Sequence, residues 1–157
     1  MPLMTEPNIQ RVTVAADGSP IAREALGYAI DLAKKYGAEL TVLTVAPLVP
    51  LYVASSEPWV PATSPDTDTP YYRQLLDHAV QEAKTAGVRA KGICVEGVVV
   101  DEILAQVEAN PPDLLVIGSR GLSRGKRLLL GSVSAAILHA VKCPVLVVHP
   151  RSTTPSS

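Results

Sequence analysis

The stretch Asp113-Leu-Leu-Val-Ile-Gly118-Ser-Arg-Gly121 decides the fold. It follows Pro111-Pro112, a pair that stops a helix, and it carries an unbroken apolar run from Leu114 to Ile117. Such a run, bounded by turn signals, reads as a strand covered on both faces, as in a parallel sheet wrapped by helices. Outward from it the chain alternates. Arg11-Val-Thr-Val-Ala-Ala16 is a short β-branched first strand that ends in the turn Asp17-Gly18-Ser19-Pro20. There Ser19 caps a helix and Pro20 fits its first position. Ala22, Leu26, Ala29, Ala33 and Tyr36 form that helix's apolar stripe, and Gly37 closes it in a left-handed conformation.

Glu39 to Val45 is the second strand. A second helix resumes past Thr69 through Leu75, Leu76, Ala79, Val80 and Ala83, ending near Gly87. Val88 to Glu96 is a third strand, and Val98 to Ala109 a third helix with Ile103, Leu104 and Val107 inward. Gly131 to Val141 is the last helix and Pro144 to His149 the last strand. The order predicts an α/β fold: a Rossmann-like, doubly wound, five-stranded parallel sheet with the first strand central. In such sheets ligands bind beyond the strand C-termini, where strand order reverses. If strands one and four flank that reversal, Asp17-Gly18-Ser19 and the connection from Gly118 converge on one crevice.

At 157 residues the chain suits a single domain, residues 1–157. Its core is expected over 9–150, with the ends and the proline-rich stretch 46–70 flexible. Lys plus Arg is 14 and Asp plus Glu 15, a net charge of −1 that argues against nucleic acid as a partner. No apolar run approaches a membrane span, and Met1 to Gln10 lacks the pattern of a secretory signal, so a cytoplasmic setting is expected. Cys94 and Cys143 stand too far apart for a redox pair or a zinc cluster and read as small apolar residues.

The connection after the fourth strand carries the chemistry. Gly118 and Gly121 are followed by nine residues and then Gly131-Ser132, which opens the last helix. Its glycines let backbone approach a ligand or adopt positive φ, and the helix presents free amides. Arg120, Arg124, Lys126 and Arg127 add a local +4 with no acidic residue among them. Amides, helix dipole and cations together predict an anion site suited to polyphosphate. A P-loop is excluded, because Arg120 stands where its first glycine belongs and Arg127 where its Ser or Thr does. A dinucleotide fingerprint is absent after the first strand.

The spacing Gly118-x2-Gly121-x9-Gly131-Ser132 resembles the ATP-binding signature of the universal stress protein family. Val14 to Ser19, Thr44-Val45 and Cys143 to Val148 are similar to that family too, so the resemblance spans residues 9 to 150. It implies an adenine nucleotide alpha hydrolase-like fold and the ATP-binding branch. Asp17 and Ala15 would lie beside the nucleoside, and Val45 would offer backbone groups to the adenine edge. Gly118, Ser119, Arg120 and Gly121 would wrap ribose and phosphates. Ser132, Val133 and Ser134 would meet the phosphates with helix-end amides and hydroxyls, with Gly131 and Arg124 in the same cradle. Mg²⁺ would accompany them through water and phosphate oxygens. The resemblance also implies a homodimer through residues 144–149, an apolar edge strand open to pairing. Gly97-Val98-Val99-Val100 departs from the many relatives with small or acidic residues there, which bears on the third helix's start.

Each candidate has a plainer reading. Asp17 could serve only the turn, and Ser132 and Ser134 only the helix start. His78 and His139 lack a matched partner and read as structural or solvated, and Tyr52 and Trp59 as loop residues. The expected function is regulatory, with ATP occupancy read by other proteins. One rival is an ATP hydrolase or a protein that phosphorylates itself at Ser132 or Ser134; another is a nucleotide-free dimeric scaffold. AMP or cyclic AMP is a narrower variant of the ligand. No His or carboxylate is placed by sequence as a water-activating base beside the phosphates.

Overall fold

A computed structural model describes residues 6–47, 69–120 and 130–151. The elements run β1 (Arg11–Ala15), α1 (Pro20–Tyr36), β2 (Glu39–Pro47), α2 (Thr69–Thr85), β3 (Ala90–Gly97), α3 (Val99–Ala109), β4 (Leu114–Gly118), α4 (Ser132–Ala140) and β5 (Val145–Val148). All five strands are parallel, in the order β3-β2-β1-β4-β5, so β1 is central and the order reverses between β1 and β4. Among the described residues no helix is long and apolar enough to cross a membrane.

Strand alternation sorts the core into two layers. Val12, Val14, Leu40, Val42, Val116 and Val148 face α1 and α2, meeting Ala25, Leu26, Ala29 and Ala33 of the first and Leu76, Ala79 and Ala83 of the second. Leu43, Val45, Leu115 and Ile117 face the other way, toward Ile103 and Val107 of α3 and Ile137 of α4. Three successive β4 residues, Leu115, Val116 and Ile117, are thus buried alternately in opposite layers, which is why that run shows no alternation of polarity. Cys94 packs in one layer and Cys143 in the other, both free.

Asp113 sets the β1–β4 register. Its Oδ2 accepts from the amides of Gln10 and Arg11, each at 2.9 Å, while its own amide donates to the Arg11 carbonyl. Ser19 caps α1 by accepting from the Ala22 amide, with Pro20 in the first turn. At the other end Gly37 has φ +64, and Ala38 donates back to the Ala33 carbonyl at 2.8 Å.

Several expectations need correction. Tyr36 is 54% exposed, because the chain reverses at Gly37 and Ala38 takes the buried place beside Ala33. Val88 is not the start of β3. Its amide donates to the Ala83 carbonyl and the Gly87 amide to Lys84, with Gly87 at φ +90, so it closes α2 and β3 begins at Ala90. Leu104 is half-buried, whereas Ile103 and Val107 are buried. The irregular stretch is shorter than 46–70. β2 runs on to Pro47, the strand's last residue, and Pro70 sits in the first turn of α2, where its missing amide costs no hydrogen bond. The rest of that stretch, Tyr52 and Trp59 included, lies outside the described residues, as do Gly121, Arg124, Lys126 and Arg127. His78 and His139 are exposed, in keeping with solvated side chains.

Leu115 is fully buried at the middle of β4. Leu115→Ala is expected to lower stability by about 2–5 kcal/mol in chemical denaturation, against well under half of that for Leu138→Ala on the surface of α4.

Candidate functional site

The central strand ends before both of its neighbours do. β1 stops at Ala15, pairing to Leu43 on one side and, through Val14, to Val116 on the other, while β2 continues to Pro47 and β4 to Gly118. The direction of the ladder can be followed along β2. Glu39 donates to Gln10 and Leu43 accepts from the Ala16 amide, each at 2.9 Å, so odd-numbered residues turn their backbone groups toward β1. Leu40 donates to Arg89 on the β3 side, so even-numbered residues turn the other way. Val45 therefore aims its amide and carbonyl toward the β1 side, two residues past the last rung, where β1 has already turned off into Asp17-Gly18-Ser19.

The turn that makes this room is tightly held. Gly18 has φ +85, and a Cβ there would come within 2.7 Å of Leu75 Cδ1. Asp17 Oδ1 accepts from the Ser19 amide at 2.9 Å. Asp17 therefore shapes the turn, and the half-buried residue also lines the crevice.

On the opposite side β4 hands the chain to α4. Ser119 donates to the Val148 carbonyl at 2.9 Å and accepts from the Gly131 amide at 2.6 Å, tying β5 and the start of α4 to one residue. Gly131 is the cap of α4, at φ −69 with no side-chain cap bond, and the first helical bond runs from Ala135 to its carbonyl. The amides of Ser132, Val133 and Ser134 precede any intrahelical acceptor, and all three residues line the crevice. Ser134 is buried and its Oγ donates to the Gly118 carbonyl at 2.7 Å, joining the end of β4 to the first turn of α4.

These parts enclose a cavity of about 300 Å³. Ala15, Asp17, Val45, Gly118, Arg120, Gly131, Ser132, Val133 and Ser134 all line it. Ser119 does not: it is 1% exposed, and its backbone serves the junction just described. Ser134 is corrected in role, because its hydroxyl proton is committed to Gly118 and what it turns outward is its amide. Neither Gly118 nor Gly131 has positive φ. Crowding explains both, since a Cβ at Gly131 would sit 3.1 Å from Arg120 Cα and one at Gly118 3.0 Å from Ile21 Cγ2. A valine at Gly131 would thus press first on the protein's own backbone, not only on a ligand.

The wall also holds residues that sequence reading assigned to the core or passed over. Ile103 was read as inward and Ile117 as part of a strand covered on both faces, and both line the cavity together with the buried Leu43 and Ile137. Val99, Pro47 and Tyr72 were not assigned, because only the crossing of α2 and α3 over the end of β2 brings them there. Among the described lining residues Arg120 is the one cation and Asp17 the one carboxylate. Hence one end of the cavity is a helix N-terminus with a cation, and the other is apolar with a backbone amide and carbonyl at its edge.

A family model described as the universal stress protein family matches residues 8–149. The chain belongs to that family. A universal stress protein of Bacillus subtilis is 34% identical over 145 residues, covering 88% of this chain and 98% of the relative. A universal stress protein solved in complex with cAMP is 31% identical, covers 90% of this chain and 98% of its own, and superposes with a TM-score of 0.66. The fold is also that of UspA from Lactobacillus plantarum, at TM-score 0.74 and 23% identity, with 90% and 98% covered. The doubly wound sheet is therefore this family's architecture.

The crowding at Gly118 yields a test. Gly118→Ala is expected to destabilise by about 1–3 kcal/mol, and in a double-mutant cycle with Ile21→Ala the two costs should be strongly less than additive.

Proposed function

We propose that this universal stress protein binds ATP in the cavity between β2 and α4, and that occupancy regulates what its surface presents to other proteins. One observation carries the reading. The same cavity holds a backbone amide and carbonyl pair at Val45 and, across the gap left by β1, the uncapped first turn of α4 with Arg120. An adenine edge needs one donor and one acceptor side by side, and a strand residue with no neighbouring strand offers that pair. Phosphates need several N–H donors and positive charge, which a helix N-terminus supplies. The apolar residues between the two ends suit a nucleoside. The related protein solved with cAMP supports an adenine nucleotide as the class of ligand.

In this reading Asp17 faces the sugar, and the amides of Ser132, Val133 and Ser134 hold the phosphates together with Arg120. ATP would supply the charge that ties α4 to the turn after β1. Mg²⁺ would travel with the phosphates; among the described residues no three His, Cys, Asp or Glu side chains converge on one point, and Asp17 is the carboxylate on this wall. Isothermal titration should show ATP binding to the purified protein. Arg120→Ala should weaken ATP by about tenfold or more while leaving adenosine nearly unchanged, because a charge-assisted bond contributes about 1.5–3 kcal/mol. Equal loss for adenosine and ATP would overturn the assignment of the phosphate end. Phosphate release well above the spontaneous rate would favour the hydrolase instead.

A homodimer through β5 belongs to the same proposal. β5 is a sheet edge paired only to β4, and all four of its residues are apolar. Leu115 donates to Pro144 and Ser119 to Val148, so even-numbered residues face β4, while Val145 and Val147 turn their backbone groups outward. Val147→Pro removes an outward amide without touching a β4 rung. Sedimentation at micromolar concentration should find a dimer that this substitution converts to monomer.

A further inference from the structure

We propose that the base in this site is clamped between the ring of Tyr72 on one face and the side chain of Val99 on the other. The inference rests on the adenine nucleotide reading and assigns residues that the glycine signature does not reach. It starts from the orientation of Val45. Hydrogen bonds made by the open side of a strand lie in the plane of the sheet, because that is where the ladder bonds lie. A flat ring that bonds both the amide and the carbonyl of Val45 therefore extends the sheet where β1 is missing, and its two faces look into the two helical layers.

The structure says what stands in each layer at that point. α2 lies over β2 on one face, with Leu76, Ala79 and Ala83 packed in the layer of Leu40 and Val42. Tyr72 is one turn earlier on the same helix and lines the cavity, as Val45 and Pro47 do. α3 covers the opposite face, with Ile103 and Val107 in the layer of Leu43 and Val45, and Val99 in its first turn lines the cavity from that side. A ring on the Val45 edge would thus lie between Tyr72 in one layer and Val99 in the other.

Both walls are held in place. The Tyr72 ring meets Tyr71 edge to face, with centroids 5.2 Å apart and planes at 83°. Val99 is fixed by the start of α3, where the Glu102 amide donates to the Val98 carbonyl at 2.9 Å and the Glu102 side chain lies over Gly97. The apolar run Val98-Val99-Val100 thereby acquires a purpose. Val98 is exposed and leaves the helix without a side-chain cap, while Val99 presents an uncharged surface to the base. An acidic residue in its place would put charge against a π-face that a methyl group contacts without desolvation cost.

Calorimetric titration of the full chain with AMP and ATP, and with inorganic tripolyphosphate as a competitor of ATP, tests the clamp. Tyr72→Ala should weaken AMP and ATP by the same factor, about tenfold or more, and leave tripolyphosphate competition unchanged. Tyr72→Phe should bind both nucleotides within about threefold of the wild type, since the ring and not the hydroxyl does the stacking. Val99→Ala should weaken both nucleotides by a smaller common factor. If the alanine variant unfolds, Tyr72→Leu keeps apolar bulk without a ring and should still show the shared loss. Undiminished AMP affinity in a folded Tyr72→Ala or Tyr72→Leu protein would overturn the clamp while leaving the nucleotide reading intact, as would a loss in Tyr72→Phe as large as in Tyr72→Ala. A wild-type chain that takes neither nucleotide overturns the reading and the clamp together.

Discussion

The rest of this structure depends on the early end of its central strand. A parallel sheet normally satisfies the backbone of each interior strand on both sides. Here β1 leaves at Ala15 while β2 and β4 run on, and the backbone on the vacated sides must be satisfied otherwise. The structure answers differently on the two sides. The Gly118 carbonyl of β4 receives the hydroxyl of Ser134, whereas Val45 of β2 is left facing the cavity. In the proposed reading, pairing on one side would secure the phosphate end, and openness on the other would leave an edge for a base.

That asymmetry explains why the glycine-bearing connection needs its glycines. The close approach of Gly131 to Arg120 brings the first turn of α4 within reach of the β4 terminus, while that of Gly118 to Ile21 seats α1 against the same strand end. With ordinary side chains there the helix would stand off, Ser134 could not reach Gly118, and the uncapped amides would point elsewhere. Binding geometry and packing are thus two consequences of the same absent Cβ atoms. Ser119 belongs to this account although it never meets the cavity, for it ties β5, β4 and α4 at one residue.

In the proposed site the helices have separate duties. The first turn of α4 and Arg120, just past β4, would address charge, while α2 and α3, crossing the end of β2 from opposite faces, would address shape. This division fits a protein of net charge −1 that nonetheless has a positive pole at one place. It also relates a regulatory role to structure, since a ligand spanning both ends would contact four separate elements and could shift their relative positions only through differential affinity for two states.

Much of this was legible in the residues. The continuous apolar run at Leu114–Ile117 spoke for a strand buried on both faces, Ser19-Pro20 for the start of a helix, and Gly37 for its end, because those signals depend on neighbours a few positions away. The reversal between β1 and β4 followed from chain order and handedness. What residue order could not supply was proximity across layers. That Tyr72 and Val99 line one cavity, that Ser134 gives its hydroxyl to Gly118, and that Gly131 is crowded by Arg120 are products of helix crossing and strand length. Local patterns encode which face of an element is apolar; only the packed sheet determines which ends of those elements meet, because that depends on register and on where β1 stops.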